Sequence, residues 1–441
     1  MGKQINLPQA GNHGQVNLQS VVTGLWVLLA LPLPLYRVLP GAIANLWTYG
    51  SLGMIVLVLL LARGSKPKWP GVWLFAGAAS LVAGVVSSGT SGLAATMPVA
   101  LQFFVLVGLG PFALRGSVTR DPRLLTRVSV SFTVAQTVSS IVGVLQLLGV
   151  SVLGYSAVYG RSPGLAGHPN VLGVMGSIAV LLCTHVLVTK SRLPRLWVIV
   201  ALAINTAGLL STGSLSSMFA CAFGVLFVLW VNRVRIAKVL WALAVGLCGL
   251  WAALLNPGVA QYFRSPADRF FQVTGQTDDV STLEIRLNTF QAAWTRIQID
   301  PFMGKGIDSG QSASYGSTAV HNLFLHAWYQ GGLALAAAMA CILIAVLVFL
   351  VHALRARSFA LTAGILVTVL SYALTSAFFE QAYYWLPVIV AWASLSTHPI
   401  TRKPKEVREK ANSRGAAGLV HKRAASGSPA VAVRDPALPG S

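Results

Sequence analysis

The sequence predicts an all-α polytopic membrane protein of about 12 transmembrane helices, with one long outer segment between helices 9 and 10. Three observations carry this. Of 441 residues, 55% are hydrophobic and only 10% charged, against ~25% charged in a soluble globular protein. The apolar residues come in runs of the ~20 residues a bilayer requires. The cations sit almost entirely on alternate links between those runs. A water-soluble enzyme and a disordered basic protein are both excluded. The formal charge of +21 alone would suggest nucleic acid, but the chain is too apolar for that reading.

Taken in order, the runs fall at 18–36, 42–62, 70–87, 93–114, 128–150, 170–189, 195–211, 214–232, 236–255, 329–351, 358–378 and 382–398. Residues 1–17 are a polar N-terminal tail. The first apolar run lacks the cleavage pattern of a secretory signal. Asn6 stands where a myristoylation motif has Ser or Thr. Residues 18–398 form the transmembrane domain, and the links at 88–92 and 212–213 are the tightest in it.

Orientation follows from Lys and Arg. With the N-terminus inside, 25 of the 32 cations lie on the inner side and 7 on the outer. Four of the 11 carboxylates are inner and 7 outer, so the outer face nets to zero. Beyond the first turn of each span there is no Asp, Glu, Lys or Arg. Ion-coupled transporters need such residues near the midplane. The polar residues within spans, Gln102, Gln136, Gln146 and Asn205 among them, read as helix–helix hydrogen-bonding groups. Cys183, Cys221, Cys248 and Cys341 all fall in apolar stretches without metal-ligand spacing, and read as small buried hydrophobes.

Residues 256–328 form the long outer segment. Its centre reads as an amphipathic helix: Ser281-Thr282-Leu283-Glu284 has capping-box spacing, and Leu287, Phe290, Trp294 and Ile297 recur every three or four residues. Asp300-Pro301 ends it, and Gly304 and Gly306 turn the chain back. Such a helix lies against the outer membrane face or caps the bundle. Residues 399–441 are basic and rich in small residues and proline, as expected of a disordered cytoplasmic tail held near anionic lipid. The partners implied so far are membrane lipids, with no nucleic acid.

The outer residues with chemical capacity are few. His168 ends GRSPGLAGH, where Arg161 and three glycines lead into Pro169-Asn170 at a helix start. A helix N-terminus beside an Arg suits an anion, and Asn170 also has the character of a cap. His321, with Asn322, and His326 lie where the outer segment re-enters the membrane. Five residues apart, the two histidines do not make an i, i+4 metal pair. A neutral imidazole at the lipid–water boundary is suited to take a proton from a hydroxyl. Arg286, Arg264, Arg269 and Arg296 are further outer arginines, each able to hold phosphate through its planar fork or to serve as an interfacial anchor.

In combination these motifs resemble the O-antigen ligase family. HNLFLHAWYQGG (321–332) at the membrane re-entry, GRSPGLAGHPNVLG (160–173), and RLNTFQAAWTRIQIDPFMGKGIDSG (286–310) with its Arg…Trp…Pro…Gly-x-Gly order carry the likeness. The chain departs from the pattern in two places. Gln330 stands where a Glu often precedes Gly, and STGSLSS (211–217) lacks an Arg often found after Ser. The resemblance implies a metal-independent, cofactor-free glycosyltransferase at the periplasmic face of the bacterial inner membrane, with both termini cytoplasmic. It would move an O-antigen glycan from an undecaprenyl-diphosphate-linked donor onto a lipid A–core acceptor, with inversion. His321 would act as base, Arg161 and Arg286 would hold the diphosphate, and Arg264, Arg269, His168, Asn170, Asn322 and His326 would bind substrate. The competing readings are an O-antigen polymerase, whose acceptor is a second lipid-linked glycan, and a polysaccharide flippase or other transporter.

Overall fold

A computed structural model of the chain describes residues 13–39, 41–61, 64–158, 160–189, 193–255, 271, 282–307, 313–315, 318–376 and 382–395. The expectations for the 1–12 stretch, Ser281, Arg264, Arg269 and the 399–441 tail lie outside the described residues. By internal contacts the chain divides at Thr397/His398.

The described part is almost entirely helical: α1 (His13–Ala30), α2 (Gly41–Leu61), α3 (Pro70–Ser91), α4 (Leu93–Phe103), α5 (Gly110–Arg120), α6 (Leu124–Leu147), α7 (Pro169–Val188), α8 (Arg195–Ser211), α9 (Leu215–Val231), α10 (Ile236–Leu254), α11 (Thr282–Ile299), α12 (Leu323–Ala356), α13 (Ala360–Ala373) and α14 (Ala382–Ser394). A π-helical turn, Phe104–Leu109, joins α4 to α5, so Leu93–Arg120 is one apolar rod. A short antiparallel pair, β1 (Ala313–Tyr315) with β2 (Thr318–Ala319), precedes α12. Among the described residues, seven helices are long and apolar enough to cross a membrane, and five shorter apolar helices coincide with the remaining expected spans. The protein is a polytopic membrane protein.

Small residues set the packing, as expected where lipid removes the hydrophobic drive between helices. The antiparallel α9 and α13 cross at Gly224 and Gly364, where a Cβ on Gly224 would meet the Gly364 carbonyl at 3.0 Å. A Cβ on Gly77 of α3 would lie 3.0 Å from the Gly108 Cα of the π turn. At the end of the bundle carrying the basic links, Trp73 and Trp392 meet edge to face at 5.1 Å, and Trp392 Nε1 donates to the Lys68 carbonyl. Gln136, Ser140, Asn205 and Thr137 form a buried hydrogen-bonded chain between α6 and α8, as expected of polar residues in lipid. Two sequence readings are corrected. Gln146 bonds a loop rather than a helix. Cys248 is exposed on α10, so its apolar surroundings are lipid and not protein, whereas Cys183 and Cys221 are buried in the bundle.

The outer segment packs differently from its apolar periodicity. Thr289, Ala293 and Ile297 form the buried stripe of α11, and Ala293 and Ile297 pack with Val320, Leu325 and Tyr329. Leu287, Phe290 and Trp294 are exposed, an apolar stripe suited to the membrane interface. The helix ends where expected: Asp300 Oδ1 accepts from the Phe302 and Met303 amides.

The loop after α11 then meets a break in α12. Gly332 has φ 64° and ψ −162° inside an otherwise helical run, a region reserved for glycine. Lys305 N donates to the Tyr329 carbonyl and Gly306 N to the Gln330 carbonyl, at 2.8 and 2.9 Å, occupying groups the break releases. A Cβ on Gly332 would run into the Phe302 carbonyl. Gly332→Ala therefore destabilises the fold by about 1–3 kcal/mol from backbone strain before any clash. Gly246→Ala, whose Cβ meets nothing within 4 Å, is near neutral. A thermal melt of both variants, followed by size-exclusion chromatography, checks the contrast. Equal melting temperatures would contradict it.

Candidate functional site

Arg161 sits on a loop that is held from below. Val158 and Arg161 exchange backbone hydrogen bonds, and the Ser162 amide donates to the Ser211 carbonyl. Gln146, at the end of α6, accepts from the Gly164 amide at 2.8 Å and donates back to the Gly164 carbonyl at 3.3 Å. Ser139 Oγ accepts from the Leu165 amide. So fixed, the Arg161 side chain runs along Gly213, Nε donates to the Thr212 carbonyl at 2.9 Å, and Nη2 donates to Asn170 Oδ1 at 2.7 Å.

Gln146→Ala leaves both Gly164 groups without this partner, at a cost of about 1–3 kcal/mol. It should loosen the loop without touching any cation. Faster deuterium exchange at 158–166 with unchanged exchange in α12 is the expected result.

The α7 start differs from the sequence reading in detail. His168 is the N-cap, its Nδ1 accepting from the Asn170 amide at 3.2 Å. Asn170 follows the cap and orients Arg161. The Arg161 guanidinium thereby lies at the turn where α8 gives way to α9, the turn that lacks the expected Arg. The starts of α7 and α9 are adjacent here: a Cβ on Gly173 would lie 3.3 Å from Ser214 Cβ. Helix N-termini and a guanidinium together make an anion-favouring corner.

Arg286 reaches the same region from the outer helix. Three residues before Thr289, it shares the buried stripe of α11 and is itself half-buried. Arg161 and Arg286 both lie within electrostatic range of the Tyr372 hydroxyl, near the end of α13. Tyr372 is 1% exposed, and its hydroxyl lies 3.3 Å from that of Tyr384, at the start of α14. The ring centroids lie 5.5 Å apart, with the planes tilted by 35°. Sequence reasoning missed this pair, because an aromatic at the end of a span reads as an interfacial anchor.

His321 is half-buried, immediately before α12. Asn322 caps that helix, its Oδ1 accepting from the Leu325 amide at 3.0 Å, and its Nδ2 donates to the Leu374 carbonyl at 3.5 Å, two residues past Tyr372. His326 faces inward and is 2% exposed, so it is a packed residue of α12. The structure thus brings Arg161, Asn170, Arg286 and the His321-Asn322 corner toward the starts of α7, α9 and α12 and the end of α13.

Residues 198–340 match the family model described as O-Antigen ligase. Over that stretch the chain is similar to an O-antigen ligase domain. That domain runs from α8 through the break in α12, and so contains Thr212, Arg286, His321 and the Gly304–Gly306 loop. Arg161 lies before it and reaches it through Thr212. No curated protein matches the chain.

Proposed function

We propose that this O-antigen ligase family protein is a periplasmic-face glycosyltransferase. It transfers an O-antigen glycan from undecaprenyl diphosphate to the lipid A–core oligosaccharide, without metal or nucleotide and with inversion. The reading adopts twelve spans in the bacterial inner membrane, cytoplasmic termini, and 256–328 in the periplasm. One observation supports it above the rest: the turn that lacks the expected Arg is filled by Arg161, held there by the Thr212 carbonyl at 2.9 Å and by Asn170 at 2.7 Å.

The chemistry follows from charge. As the bond from the anomeric carbon to the diphosphate oxygen breaks, its electron pair goes to the leaving diphosphate. Arg161 and Arg286 stabilise that developing charge, and preorganised donors act most strongly there. The acceptor hydroxyl attacks the opposite face of the sugar and gives its proton to His321, a step worth about 10²–10⁴-fold. Tyr372 and Tyr384 supply hydroxyls beside the same anion. His168 and Asn170 fix the Arg161 corner, Asn322 fixes His321, and Arg264 and Arg269 are further candidates for the donor.

A second reading, the polymerase, shares the donor and all of this machinery. Cells lacking the protein separate the two. Loss of a ligase leaves full-length glycan on its lipid carrier and bare lipid A–core. Loss of a polymerase leaves cores bearing one repeat unit. The first pattern is expected, and single-unit cores would overturn the ligase assignment.

A further inference from the structure

A second site lies at the opposite end of the bundle, away from the proposed chemistry. A groove of about 610 Å³ opens between α6, α7 and α8. Its wall on α6 runs from Leu125 to Val134, a rise of about 13 Å, close to the ~15 Å of hydrocarbon in one leaflet. The deep part is apolar, with Val134, Leu182 and Ala201, while Thr126, His185 and Thr189 lie toward the shallow end. His185 Nδ1 is buried there with no hydrogen-bond partner among the described residues. Exposed Arg123, Arg127 and Arg195 flank the mouth on the helices that form it. The carboxylate described there, Asp121, pairs with Arg127 at 3.2 Å and accepts from Thr23 Oγ1, so it is already committed to protein groups.

An apolar slot one leaflet deep, with a buried imidazole nitrogen below a cationic mouth, has the chemistry of a single lipid. We propose that the groove holds one anionic glycerophospholipid of the inner leaflet. An acyl chain lies along α6 and α8, an ester carbonyl accepts from His185, and the phosphate sits at Arg195. This rests on the charge-based sidedness in the proposed function but not on the transfer reaction, so it can fail or hold independently of that activity.

Native mass spectrometry of the full-length protein tests it, after delipidation and titration with phosphatidylglycerol, phosphatidylcholine or polyprenyl phosphate. One phosphatidylglycerol should be retained in preference to both others. Arg195→Gln should reduce the preference over phosphatidylcholine about fivefold, the value of one cation near an anionic lipid surface. Ala201→Trp, which fills the slot, should abolish retention while the protein still elutes as a monodisperse peak. If that variant fails to fold, Arg195→Gln alone carries the test. Equal retention of phosphatidylglycerol and phosphatidylcholine would overturn the proposal, as would preference for polyprenyl phosphate, or a preference unchanged in Arg195→Gln.

Discussion

His321→Ala should lower glycan transfer by about 10²–10⁴-fold, a loss that removes the lipopolysaccharide ladder in cells, while membrane level and thermal stability stay near wild type. The side chain is half-buried just before the Asn322 cap of α12, so its removal opens no core cavity and takes away no helix cap. Asn322→Ala provides the contrast, because its Oδ1 bonds the Leu325 amide. Loss of that cap costs about 0.5–2 kcal/mol of stability and should reduce transfer only through the placement of His321. A His321→Ala strain with a normal ladder would end the role of His321 as base.

The arginines make the second large prediction. Arg286→Ala and Arg161→Ala should each reduce kcat by about 10²–10³-fold, the usual loss when one preorganised charge-stabilising donor is removed. In the proposal both hold one diphosphate, so they should couple: the double variant should lose less than the product of the single losses. Asn170→Ala isolates the positioning component, since it removes only the 2.7 Å partner of Arg161 Nη2. It should raise KM for the donor more than it lowers kcat. Full activity in both single Ala variants would remove the diphosphate clamp.

Much of the architecture was legible because lipid imposes a strict rule on sequence. Every backbone group in a span must be satisfied within a helix, and the side chains must be apolar, so the runs at 70–87 and 170–189 announce themselves. The amphipathic stretch of 282–299 was visible as a helix, but its packed stripe was not. Leu287, Phe290 and Trp294 face outward, while the smaller Thr289 and Ala293 are buried, because close approach to α12 favours small side chains. Apolarity in a membrane protein marks lipid contact as readily as core.

The site was legible in its charges and hidden in its support. Arg161, Arg286 and His321 stand out because cations and histidines are scarce on the outer side. The break at Gly332 was hidden, since two glycines inside an apolar run are compatible with an unbroken helix. Gln146 was read as a helix–helix group because sequence cannot tell a partner helix from a returning loop. Tyr372 and Tyr384 belong to the site only because α13 and α14 end beside it, a long-range fact with no local pattern.

The most direct measurement uses purified protein in liposomes, with a defined undecaprenyl-diphosphate-linked glycan and lipid A–core as acceptor. Undecaprenyl diphosphate release is followed against glycosylated core, with no metal added and chelator present. The account predicts equimolar appearance of the two products with inverted anomeric configuration, and appearance about 10²–10⁴-fold slower with His321→Ala. Release that requires a second lipid-linked glycan instead of lipid A–core, or a product of retained configuration, would contradict it.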